Sequence, residues 1–129
     1  MANNIDDSKI ALQGYSPVSY LDLGLAQRGN KQFKSMHNKI AYYFTSAEQK
    51  KSFDRNPNKY LPQYGGFCAF GVYVGAKFRV DPNKFVVRNG KYYLFLNDLE
   101  VDAKQLWIAE KETALIQTAN KNWKALKTK

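Results

Sequence analysis

An α+β fold is what this sequence predicts: a small antiparallel sheet with short helices and a C-terminal amphipathic helical segment packed on it. Three observations carry that expectation. Asn89-Gly90 sits between two strand-forming runs, Ile-Ala-Tyr-Tyr-Phe at 40–44 is rich in strand formers, and apolar residues after Asn97 recur at spacings of three and four. The 129 residues, 44% apolar and 15% aromatic, suffice for one compact domain with a ring-rich core. That domain is expected over residues 10–126, between a flexible start (1–9) and a flexible tail (127–129).

Taken in order, Ser16-Pro17 predicts a short helix, because proline suits the first turn and serine caps it, with Val18, Tyr20 and Leu21 giving apolar contacts and Gly24 ending it. Lys31–Met36 and Lys39–Phe44 predict a strand pair linked by the polar His37-Asn38. Thr45-Ser-Ala-Glu48 has capping-box spacing, so a helix should start at Thr45, run through Gln49, Lys50 and Phe53, and stop near Asn56-Pro57. Pro62 and Gly65-Gly66 keep the chain irregular up to Cys68. Residues 85–96 predict a tight type I′ hairpin, its second arm apolar in both parities and so covered on two faces. Leu99, Ala103, Leu106, Trp107, Ala114, Leu115, Ala119, Trp123 and Leu126 then predict one long amphipathic helix, or two with a break near residues 110–112. No repeat, low-complexity tract or linker run is visible.

A net charge of +9 favours anionic partners, but lysines recur in almost every segment, which reads as a basic, well-solvated surface, with nucleic-acid binding as an alternative. No stretch approaches the roughly 20 apolar residues of a spanning helix, and the first residues lack the n- and h-regions of an export signal. A cytoplasmic location is expected for the chain as it stands, and a periplasmic one if an export leader precedes it.

The single cysteine, Cys68, excludes an intramolecular disulfide and follows two glycines among aromatics. A nucleophile needs a supporting base, and the sole histidine, His37, is far off in the sequence with no motif joining the two. Packing is the bland reading of Cys68; ligand or metal contact and thiol chemistry are the alternatives. One Cys and one His cannot close a four-ligand zinc site. Asp98, Glu100 and Asp102 begin like a calcium loop but lack its glycine and closing glutamate, so they read as complements to a helix N-terminus. Phosphate cradles, serine elbows and His-Glu-x-x-His pairs are absent from the sequence. Nine tyrosines supply core and rim, and a ring-lined cavity near residues 64–70 is the best small-ligand expectation.

Three pieces in this order resemble the stand-alone bacterial YHS-domain proteins: Leu-Gln-Gly-Tyr-Ser-Pro-Val-Ser-Tyr at 12–20, Tyr-Tyr-Phe-Thr-Ser-Ala-Glu at 42–48 leading to Phe53 and Asn56-Pro57-x-x-Tyr60, and Pro-Gln-Tyr-Gly-Gly-Phe-Cys-Ala-Phe-Gly at 62–71. Metal-associated relatives of the YHS and TRASH type carry cysteines at positions that match Ser19, Thr45 and Gln49 here. Oxygen donors do not replace thiolates for zinc or copper(I), so the resemblance implies that ion capture is lost at these positions. The expected role is a non-enzymatic binding or accessory module, recognising a small ligand or metal near the Gly-Gly-Phe-Cys segment. The expected surface is Tyr64, Gly65, Gly66, Phe67 and Cys68, with Tyr15, Ser19 and Tyr20 as neighbours, recognising a small molecule or a protein partner through glycine-freed amides and ring faces. A thiol-dependent enzyme or redox protein using Cys68 is the alternative. No cofactor and no oligomeric state is implied.

Overall fold

The computed structural model describes residues 3–98 and 101–128. The Leu99 and Glu100 parts of the expectations above, with the outermost residues of both termini, lie outside the described residues. The described chain is α+β, with two separate two-stranded antiparallel sheets. It divides into two compact units, one of Ile5–Pro62 with Val87–Tyr92, the other built on Gln63–Val86 and the chain from Tyr93 onward, with Asn4.

In the first unit a 3-10 turn, Ala11–Gly14, leads into α1 (Pro17–Asp22); β1 (Asn30–His37) and β2 (Ile40–Phe44) form a hairpin; α2 (Ala47–Arg55) and α3 (Pro57–Tyr60) follow. Proline at the start of α1 fits the orphan-donor end of a helix, and Pro57 divides α2 from α3 because Asn56 before it is held out of the helical region (φ −152°, ψ 71°). The β1–β2 turn is Asn38-Lys39, both with positive φ (51° and 66°), as a type I′ turn requires. It therefore lies one residue beyond the expected His37-Asn38, and His37 ends β1. The helix start also moves by one: Ser46, not Thr45, is the cap of α2, accepting from the Gln49 amide at 3.2 Å. The Thr45 amide donates instead to Gln49 Oε1 at 2.9 Å.

In the second unit a 3-10 turn, Gln63–Gly66, leads into α4 (Ala69–Tyr73), followed by β3 (Asp81–Arg88), β4 (Lys91–Phe95), α5 (Ala103–Ile108) and α6 (Glu112–Leu126). Asn89 and Gly90 have φ of 56° and 74°, the expected type I′ turn. Its Val87–Tyr92 tip counts with the first unit. Tyr92, Tyr93, Leu94 and Phe95 are buried in succession, as an arm apolar in both parities demands. The C-terminal segment is two helices. Asp102 caps α5, accepting from the Gln105 amide at 3.3 Å, and pairs with Lys84 at 3.4 Å. Trp107 of α5 lies against the Tyr93 and Phe95 rings (6.0 and 5.5 Å), while α6 rests on α4, whose Val72 and Tyr73 carbonyls accept from Asn122 at 3.0 and 2.9 Å. Leu106, placed in the apolar stripe, is instead 46% exposed, because in this short helix Ala103 and Trp107 already fill the inward face.

The units share a local plan that residue identities conceal, so the absence of a repeat holds for composition and not for conformation. Leu12-Gln13-Gly14 and Tyr64-Gly65-Gly66 are each three successive residues with positive φ. Each turn closes with the same bond, Tyr15 N–H to Leu12 C=O and Phe67 N–H to Tyr64 C=O, both at 3.0 Å. The next amide bonds across in both cases: Ser16 to the Gln27 carbonyl at 2.8 Å, Cys68 to that of Phe78 at 2.9 Å. A short helix and a type I′ hairpin follow each turn. The hairpin's Tyr and Phe then meet a ring from the next long helix or its counterpart: Tyr42 and Phe44 meet Phe53 (5.0 and 5.1 Å), as Tyr93 and Phe95 meet Trp107.

Candidate functional site

The residues expected to form one surface fall into both units, and each group has its own geometry. Tyr64, Gly65 and Gly66 carry φ of 55°, 61° and 86°. Left-handed backbone is easy for glycine and costs a tyrosine about 1 kcal/mol, which the buried ring offsets. The Tyr64 ring lies 5.8 Å from that of Tyr93 and 6.1 Å from that of Trp123, and its hydroxyl donates to Asn120 at 2.8 Å. Burial, then the neighbouring Tyr93, raises its pKa.

After the turn, Phe67 and Cys68 take different places. The half-buried Phe67 ring is 6.1 Å from that of Trp123, and the Lys77 ammonium lies over both, 5.3 and 5.7 Å from the two centroids. Cys68 is fully buried and caps α4, its sulfur accepting from the Gly71 amide at 3.4 Å. Burial pushes its thiol pKa up, against the smaller opposing effect of backbone hydrogen bonds. A nucleophilic thiol needs the opposite shift. The amides of Phe67 and Cys68 are used by the chain itself, and the Gly65 and Gly66 carbonyls accept from Asn4 at 2.8 and 3.1 Å. What the segment presents outward is therefore mainly ring surface under a cation.

In the first unit, Tyr15 is half-buried beneath the Arg28 guanidinium, 5.4 Å from its centroid. The Phe67–Lys77 pair is similar in kind, although Arg28 follows the bonded Gln27 while Lys77 precedes the bonded Phe78. Tyr20 is a core residue, stacked on Tyr92 at 4.7 Å with planes 12° apart. Ser19 is also buried, and with Thr45 and Gln49 it meets in a single network. Gln49 Oε1 accepts from the Ser16 hydroxyl at 2.7 Å and from the Thr45 amide, Gln49 Nε2 donates to Ser19 Oγ at 2.9 Å, and the Ser19 hydroxyl donates to Gln27 Oε1 at 2.7 Å. Ser19, Thr45 and Gln49 do converge, as donors and acceptors that satisfy one another. No group of three His, Cys, Asp or Glu among the described residues could hold a metal ion.

Sequence reasoning missed Gln27, Lys77, Asn120 and Trp123 as neighbours of these residues. They come from distant segments, and no local pattern signals them. His37, placed by the sequence in the polar link between β1 and β2, is half-buried against the edges of the Tyr42 and Phe53 rings (6.4 and 6.0 Å). No helix among the described residues is long and apolar enough to cross a membrane. The chain matches no protein-family model, no curated protein and no solved structure.

Proposed function

We propose that the chain is a YHS-type, non-enzymatic binding or accessory module that takes a small ligand on the Tyr64–Phe67 segment. One observation carries the reading: after three successive left-handed residues the Phe67 ring is only partly covered, beside Trp123 and under Lys77, while Cys68 is fully buried. A partly buried aromatic pair with a cation held over it offers apolar contact and charge at one point, which suits a flat or anionic small molecule. Tyr15 under Arg28 is a second, similar point in the other unit, where Ser19 and Tyr20 are buried, and Cys68 supports the Tyr64–Phe67 segment from within its own unit. The thiol-enzyme reading loses ground to the burial of Cys68.

Amide NMR spectra recorded during titration with a library of small aromatic and anionic compounds test the proposal. Shifts should centre on Gly65, Gly66 and Phe67 and weaken at least several-fold in Phe67→Ala. Shifts that leave these residues untouched would reject it. Binding unchanged in Cys68→Ala would assign the thiol to packing alone.

A further inference from the structure

We infer that the face carrying Phe67 and Trp123 binds single-stranded nucleic acid, the rings stacking on bases and the surrounding cations meeting phosphates; this rests on the binding reading above and names its partner. The charges of the second unit are segregated in a way that its composition hides. Residues 63–80 and 113–128, which include α4, the segment after it and nearly all of α6, contain Lys77, Arg79, Lys121, Lys124 and Lys127 and not one Asp or Glu. The acids of this unit lie between Asp81 and Glu112. Because α6 rests on α4 through Asn122, the two acid-free segments are brought together.

On α6, Lys121, Lys124 and Lys127 recur every three residues and are exposed. Lys127 is one turn beyond Trp123, and Lys124 one turn beyond Asn120, which holds the Tyr64 hydroxyl. Lys77 touches both rings, and Arg79, two residues on, is exposed. Phe78, between them, is 41% exposed, its ring lying on Gly71. Lys77, over both rings, and Lys127, one turn beyond Trp123, are thus the cations nearest this aromatic surface, while Lys121, two residues before Trp123, lies on another side of α6.

Cations alone would suit any polyanion. Partly accessible rings beside them, Phe67, Trp123 and the exposed Phe78, favour a chain whose every unit offers both a phosphate and a flat base, and base–aromatic stacking contributes about 1–3 kcal/mol per base. A duplex hides its base faces, which leaves the single strand. An acidic peptide would match the charge but not the rings, and an anionic bilayer would need a larger apolar patch than Val74 and Phe78 provide.

The test is titration of the full chain with a short unstructured oligonucleotide at several salt concentrations, read by anisotropy and by tryptophan fluorescence. Trp107 is fully buried, so quenching reports on Trp123. Binding should quench the fluorescence, and the logarithm of affinity should fall with that of salt at about 0.7 per cation engaged. Lys124→Glu with Lys127→Glu should lower affinity about tenfold or more and flatten the salt slope. Lys31→Glu with Lys34→Glu, on exposed β1 sites of the other unit, makes the same change in net charge and should cost less than about threefold. No binding at low salt, equal losses from the two double variants, binding without quenching, or preference for phosphatidylserine vesicles would each overturn the inference. Small-molecule shifts at Gly65–Phe67 without oligonucleotide affinity would overturn this inference alone, whereas absence of both would remove the site itself.

Discussion

Gln49 satisfies three partners at once. Its carboxamide accepts from the buried Ser16 hydroxyl and the Thr45 amide and donates to the buried Ser19 hydroxyl. A buried polar group deprived of its partner costs about 1–3 kcal/mol, so Gln49→Ala should destabilise the protein by about 3 kcal/mol in urea unfolding. Lys50, the next residue, makes an exposed pair with Asp54 at 2.8 Å, both side chains more than a third accessible. Screening leaves such a pair worth less than about 0.5 kcal/mol, so Lys50→Ala is the matched control. Equal costs would mean that water replaces the glutamine and that the network does not hold the unit together. The same residue shows where sequence reasoning stops. Ser16 was legible as a helix-opening residue, and it does precede α1, but its hydroxyl goes to Gln49, 33 positions away. Local spacing identifies a residue that can cap; it does not say which of its bonds wins when a distant partner arrives.

At the scale of elements, turns and breaks were legible because their causes are local. Asn89-Gly90, Pro17 and Pro57 act through their own φ values. Displaced features, such as the Ser46 cap and the inward face of α5, depend on which side chain is already engaged elsewhere. The Tyr64–Gly66 turn was legible as irregular but not as left-handed, since its first residue is a tyrosine kept there by its buried ring. Glycines separate local cause from tertiary cause in an experiment. At Gly90 (φ 74°) an added Cβ meets nothing within 4 Å, so Gly90→Ala should cost only the left-handed backbone penalty of about 1 kcal/mol. At Gly71 it would meet the Phe78 ring at 2.7 Å, a side chain that can shift. At Gly29 it would lie 2.7 Å from the Tyr43 carbonyl carbon and 2.8 Å from its oxygen, backbone that cannot move without disturbing β2. The order of destabilisation should therefore be Gly29→Ala, then Gly71→Ala, then Gly90→Ala, with overpacking adding about 1–3 kcal/mol at Gly29. Thermal melting of the three variants checks it, and Gly90→Ala costing as much as Gly29→Ala would refute the close approach of Gly29 to Tyr43.

Across the whole molecule, the aromatic content visible in the composition becomes a pH dependence. Six of the nine tyrosines are buried, in both units. Burial pushes Tyr42 up to about 12. Burial first, then Tyr93, raises Tyr64, and burial first, then Tyr20 and Tyr42, raises Tyr92 well above the ordinary tyrosine value. An unfolded tyrosine loses its proton near pH 10, so above about pH 10 the unfolded chain sheds protons that the folded chain retains. The stabilising contribution of these groups is intact below that pH and is lost as pH rises toward their folded values. Each contributes about 1.4 kcal/mol per pH unit in that window, and three together about 4 kcal/mol per unit. Over roughly pH 10–12 that amounts to about 8 kcal/mol, enough to unfold a domain in the lower half of the usual 5–15 kcal/mol range. With a sequence pI of about 9.6 the chain is net negative above pH 10, so growing self-repulsion acts in the same direction as the tyrosines, and it is their ionisation in step with unfolding that identifies their share. Tyrosinate absorbance and circular dichroism followed together through this range should show the buried set ionising in step with loss of structure. Ionisation of all nine tyrosines near pH 10 with the dichroism intact would mean that the rings are wetted in the folded chain and that the aromatic core is not what excludes water.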